Sequence, residues 1–95
     1  MTTVTLYTKQ DCVQCTGSKR KLDKEGVDYE TVDLSAAYSD IAPAEDKAVA
    51  KQYVDAIKEL GHMQMPVIIV SRTGEEDVHW SGNRPDLIMK HCVPA

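Results

Sequence analysis

The sequence predicts an α/β fold: a four-stranded mixed sheet with helices on both faces, in the order strand, helix, strand, helix, strand, strand, helix. Three observations carry this. Val4-Thr5-Leu6-Tyr7 alternates with the period of a strand, whereas Val67-Ile68-Ile69-Val70 is an unbroken aliphatic run suited to a strand buried on both faces. Two segments of helical character, closed by Gly26 and Gly61, separate the first three strands. A helix between two strands needs a right-handed crossover and makes the first pair parallel, while the short link Arg72-Thr73-Gly74-Glu75 makes the last pair an antiparallel hairpin.

Taken in order, the first strand covers about residues 3 to 8, and a loop from Thr8 to Asp11 follows. The segment from Cys12 or Val13 to Glu25 reads as a helix, with basic residues toward its C-terminal end, where the helix dipole favours them. Its apolar stripe is thin: Gly17 and Ser18 are poor helix formers, and Val13, Cys15 and Leu22 are the candidates for burial. Val27 to Val32 reads as the second strand and Asp33 to Pro43 as a loop. The second helix starts near Pro43 or Ala44, with Glu45 and Asp46 in its first turn and Val49, Tyr53, Ala56 or Ile57, and Leu60 as its apolar face. Met65-Pro66 leads into the aliphatic strand, a last strand lies at about 76 to 80, and a short helix begins at Pro85 with Asn83 or Arg84 near its cap.

The chain of 95 residues suits one domain, 1–95, and its 42% hydrophobic residues suit a single core. Three cysteines are too few for a disulfide framework, and Met1-Thr2-Thr3 runs into a strand without the charged and apolar regions of a signal peptide, so a reducing, cytoplasmic compartment is expected. The longest aliphatic stretch is far short of the roughly 20 residues of a membrane span. Of 11 Lys/Arg and 15 Asp/Glu, residues 9 to 24 hold five and two, which leaves six and thirteen for residues 25 to 95. That acidic remainder argues against nucleic acid as a ligand. The basic stretch, which includes Lys19, Arg20, Lys21 and Lys24, is either a solvated helix face or a local field that steers an acidic partner.

Cys12-Val13-Gln14-Cys15 falls within that stretch, between a strand and a helix. At the first turn of a helix, unpaired N–H groups and the positive end of the dipole stabilise a thiolate, so the Cys12 pKa should fall below the free value of about 8.5. Cys15, nearly one turn on, lies on the same face and is placed to attack a mixed disulfide formed at Cys12. Cys12 is thus the candidate nucleophile and Cys15 the resolving thiol. The competing reading is a zinc half-site. A structural zinc needs about four ligands, and no second C-x-x-C or C-x-x-H is present, although His91-Cys92 offers two at the far end of the chain.

These residues resemble a known family. Leu6-Tyr7-Thr8-Lys9 before Asp11-Cys12-Val13-Gln14-Cys15, Met65-Pro66-Val67 before the third strand, and Trp80-Ser81-Gly82-Asn83-Arg84-Pro85-Asp86 before the last helix are similar to the glutaredoxin-like NrdH-redoxins of the thioredoxin superfamily. The resemblance implies a thioredoxin fold and a small dithiol carrier, and a monomer is the default for a carrier that exposes one edge to two partners in turn. Such a carrier is reduced by thioredoxin reductase, uses NADPH only through that enzyme, holds no cofactor or metal, and donates electrons to a class Ib ribonucleotide reductase. The closest alternative is a glutathione-dependent glutaredoxin. Those proteins carry Cys-Pro-Tyr-Cys and a Gly-Gly-x-x-Asp loop, where this chain has Val-Gln and Trp-Ser-Gly-Asn-Arg-Pro. A zinc or iron–sulfur module using Cys12 is the alternative from another class.

The chain departs from the family pattern in three places: Gln10 replaces a common proline, Asn83 replaces an aromatic, and the loop from Ala36 to Ala44 is about ten residues longer. The resemblance also implies a cis Met65-Pro66 bond against the dithiol, with the Met65 backbone turned outward to pair with an extended substrate; a plain strand-start proline is the simpler reading. Lys9, Val13 and Gln14 flank the cysteines. Lys9 is expected to lower the Cys12 pKa and meet a partner carboxylate, or else to be an ordinary exposed lysine. Trp80 is expected to pack first, with Ser81, Gly82 and Arg84 shaping the nearby surface and Arg84 pairing with Asp86 or capping the segment. Cys92 reads as a thiol outside the chemistry and Met63, Met65 and Met89 as adaptable packing or contact residues, while His62, His79 and His91 show no spacing that assigns them a role.

Overall fold

The computed structural model describes residues 2–93. The chain runs β1 (Thr2–Thr8), α1 (Val13–Lys24), β2 (Glu30–Asp33), a 3-10 turn (Ser35–Tyr38), α2 (Ala44–Glu59), β3 (Val67–Arg72), β4 (Val78–Ser81) and α3 (Pro85–His91). The sheet order is β2-β1-β3-β4, with β1 parallel to β2 and antiparallel to β3, and β3 antiparallel to β4. This is the mixed four-stranded α/β arrangement that the element order demanded.

Alternation along β1 and β3 divides the core between two faces. Val4, Leu6, Ile68, Val70 and Trp80 meet Leu22 of α1 and Ile88 of α3 on one side. On the other, Val67 and Met65 meet Ala50, Val54 and Ile57 of α2, with Leu34 and Cys15. Leu6, Ile68 and Val67 have no solvent exposure, which fits the central position of β1 and β3. Burial of each such side chain contributes about 1.5–3 kcal/mol.

Three details differ from the sequence expectation. The second strand begins at Glu30, not Val27, because residues 26 and 27 close α1: with Gly26 at φ 68°, its N–H bonds the Asp23 carbonyl (3.1 Å) and the Val27 N–H bonds the Leu22 carbonyl (3.0 Å). That is a Schellman closure, and Val27 serves it while its side chain packs on the core. The buried face of α2 is Ala50, Val54 and Ile57; Val49, Tyr53 and Leu60 are substantially exposed. Apolar residues occur there in adjacent pairs, so two stripes about 100° apart fit the same period. In α1 the inward stripe is Cys15, Ser18 and Leu22, while Val13, two residues before Cys15, points outward.

Candidate active site

Cys12 is the N-cap of α1, in extended backbone (φ −109°, ψ 101°), and its Sγ accepts the Cys15 N–H at 3.2 Å. The two cysteines form a disulfide with their Cα atoms 5.2 Å apart. Cys12 is half-buried and Cys15 is 2% exposed, packed beside Met65 and Val67, so an incoming sulfur reaches Cys12. When the bond is reduced, the free N–H groups of the first turn and the helix dipole favour the thiolate at Cys12 over that at Cys15. The geometry therefore leaves Cys12 as the accessible sulfur of the pair, with Cys15 sheltered behind it.

The loop that presents Cys12 is built from residues to which the sequence assigned no function. Asp11 turns the chain into α1 with φ 56°, a left-handed conformation that Asp tolerates better than most residues. The Gln10 N–H bonds Ser35 Oγ (2.8 Å), and the Ser35 hydroxyl and N–H both donate to Asp33 Oδ1 (2.5 and 2.8 Å). These bonds hold the Asp33 carboxyl below the usual carboxylate range. The Leu34 N–H closes onto the Thr8 carbonyl at 2.7 Å. The end of β2 and the 3-10 turn thus brace the active-site loop from the side.

Lys9 lies over the Tyr38 ring of that turn, and an open groove of about 480 Å³ lined by Thr8, Lys9, Asp11, Cys12, Val13, Cys15, Thr16 and Lys19 runs beside the disulfide. Val13, expected as a burial candidate, is 87% exposed at its rim. Met65-Pro66 is cis, both residues are buried, and the Pro66 carbonyl accepts the Gly82 N–H at 2.8 Å. Ser81 ends β4 opposite Val67, and Gly82 sits at φ 82° where an added Cβ would meet Gln14 and Gln64. Trp80 is buried in the core between sheet and helices, its ring 5.8 Å from that of His91. Arg84 makes a two-pronged pair with Asp86 (3.1 and 2.9 Å) at the start of α3.

Gln14 and Asn83 join the two halves of the site. Gln14 Oε1 accepts the Asn83 N–H at 3.0 Å, and the Asn83 side chain lies against Gly17 and accepts the buried Ser18 hydroxyl at 3.4 Å. Asn83 therefore packs on α1. The only sequence signal for this contact was the pair of small residues, Gly17 and Ser18, on an otherwise weak helix.

An accessible half of a Cys-x-x-Cys disulfide at a helix N-terminus, facing a cis-proline loop at the C-terminal edge of a parallel strand pair, defines a thiol–disulfide oxidoreductase of the thioredoxin fold. A sequence model described as Glutaredoxin matches residues 4–74. The chain is 34% identical over 92 residues to the glutaredoxin-like protein NrdH of Escherichia coli (strain K12), covering 96% of this chain and 91% of that one, and equally so to the NrdH of Salmonella typhimurium. It belongs to the glutaredoxin family and, within it, groups with the glutaredoxin-like NrdH-redoxins. The solved NrdH-redoxin from Escherichia coli superposes with a TM-score of 0.68 at 32% identity, over 96% of this chain and 97% of that chain. A glutaredoxin from Archaeoglobus fulgidus (TM-score 0.63, 22% identity, 96% and 86% covered) shares the fold. No helix among the described residues is long and apolar enough to cross a membrane.

Proposed function

We propose that this oxidoreductase is a cytoplasmic, monomeric electron carrier, reduced by thioredoxin reductase, that delivers its electrons to a class Ib ribonucleotide reductase. In this reading the oxidised partner is attacked by the Cys12 thiolate, a mixed disulfide forms, and Cys15 displaces the partner as a reduced dithiol while the Cys12–Cys15 disulfide closes. The reductase then returns two electrons from NADPH to that disulfide. The chain's own chemistry is thiol exchange, and a resident cofactor has no step to perform.

The observation that carries this reading over a glutathione-dependent one is the Gln14–Asn83 bond. The loop before α3 spends its Asn83 N–H on the dithiol segment's own side chain, which removes a donor that a small carboxylate ligand in this corner would need. The related NrdH-redoxin of Escherichia coli is described as having a thioredoxin-like activity profile, which supports the same choice. The test is NADPH consumption by the oxidised protein with thioredoxin reductase in one cuvette and with glutathione plus glutathione reductase in another. Turnover confined to the first, followed by thioredoxin-reductase-dependent support of ribonucleotide reduction, is the expected result. A preference for glutathione would overturn the proposal.

A further inference from the structure

We propose that His62 and His79 form a binding site for a late first-row divalent cation of the zinc type, separate from the dithiol. His62 lies just past the end of α2 and His79 lies on β4. Seventeen positions apart in sequence, their rings meet edge to face (87°) with centroids 4.8 Å apart, and His62 Nε2 faces His79 Nδ1 at 2.6 Å. At this distance one neutral imidazole donates a hydrogen to the other, in the direction its tautomer sets. If that hydrogen resides instead on the far nitrogen of its ring, both facing nitrogens direct lone pairs at the same point.

A tetrahedral zinc with Zn–N bonds of about 2.0–2.1 Å holds two imidazole nitrogens roughly 3.3 Å apart, so the rings need to part by less than about 1 Å. Both are half-exposed, which lets the ion enter with water on its remaining positions. The His62 N–H also bonds the Ile57 carbonyl, so the pair adjoins the negative end of a sixteen-residue helix.

Imidazole donors select zinc-like ions over magnesium or calcium. Among the described residues no group of three His, Cys, Asp or Glu side chains forms a metal cluster, and Lys9 and Lys58 line the adjoining groove, so the site is labile and of moderate affinity, unlike a closed structural zinc. Its position gives it a consequence. Residues 62–64 lead into Met65-Pro66 and β4 leads into Ser81-Gly82, with Gln64 already against Gly82. A bridging ion ties together the two segments that flank the dithiol.

The test is calorimetric titration of the full chain with Zn2+, using oxidised protein so that Cys12 and Cys15 are withdrawn as donors, in a Cys92→Ser background. One equivalent is expected, with His62→Gln and His79→Gln each lowering affinity at least about tenfold. His91→Gln is expected to leave it unchanged. Thermal unfolding supplies the second readout: Zn2+ raises Tm in the parent and not in either variant. No saturable binding at millimolar Zn2+, or binding that survives both substitutions or depends on His91, would overturn the proposal. Neither result bears on which reductase the dithiol uses.

Discussion

The Lys9 ammonium lies over the face of the Tyr38 ring, 5.2 Å from its centroid. Tyr38 ends the 3-10 turn in the segment between β2 and α2, so a residue within the longer loop holds the cation that flanks the dithiol. Tyr38→Leu should cost about 0.5–1 kcal/mol, the usual scale of an exposed cation–π contact, read as a lower urea midpoint, while Tyr38→Phe retains the contact. Lys9→Met should raise the Cys12 thiolate pKa, because a positive neighbour is lost. The ultraviolet absorbance of the thiolate against pH measures this, and an unchanged midpoint would contradict an effect of Lys9 on the thiolate.

The Asp33–Ser35 brace predicts a pH dependence of stability. The folded-state pKa of Asp33 is depressed, chiefly by the Ser35 hydroxyl and secondarily by the Ser35 N–H. Its stabilisation is therefore fully present above the unfolded carboxylate value of about 3.9 and is lost as pH falls through the lower folded value. Asp33→Asn should lower stability at neutral pH and flatten the acid limb below about pH 4. Urea midpoints across the acid range in both proteins check the sign; identical slopes would contradict it.

The close approach of Asn83 to Gly17 predicts a non-additive pair. A Cβ at position 17 would lie 2.6 Å from Asn83 Nδ2, so Gly17→Ala forces that side chain to move and strains its contact with Ser18. In an Asn83→Ala background the same change should stabilise by up to about 1 kcal/mol through helix propensity. A double-mutant cycle on urea midpoints reads the coupling directly. Equal effects in both backgrounds would mean that Asn83 exerts no hold on α1.

Leu6 sits on the central strand, fully buried against Ile68 and Leu22. Leu6→Ala should destabilise by about 2–5 kcal/mol, the range for a core leucine whose cavity cannot collapse. Chemical denaturation measures it, and a loss under about 1 kcal/mol would mean that this face of the sheet repacks.

Element type and order were legible in the sequence because local patterns marked the strands, alternation from Val4 to Tyr7 and an unbroken aliphatic run from Val67 to Val70, and because Gly26 and Gly61 marked helix ends. The cysteine pair at the start of α1 was legible for the same local reason. Long-range choices were not. Nothing local distinguishes Val49 from Ala50 as the inward residue of α2, since the packing of the 3-10 turn and β3 decides it. Val27 looks like a strand residue until the Schellman bond from its N–H is seen. Asn83 against Gly17 and His62 against His79 join residues 66 and 17 positions apart, contacts that no spacing rule encodes.

The division of labour between Cys12 and Cys15 is tested most directly by trapping. Reduced Cys15→Ser protein, mixed with an oxidised disulfide substrate, should accumulate a mixed disulfide at Cys12 that intact mass and peptide mapping identify, because Cys12 is accessible and its resolving thiol is gone. Cys12→Ser should trap nothing and lose disulfide reductase activity. A stable adduct at Cys15 in the Cys12→Ser variant, with activity retained, would contradict the assignment of Cys12 as the nucleophile.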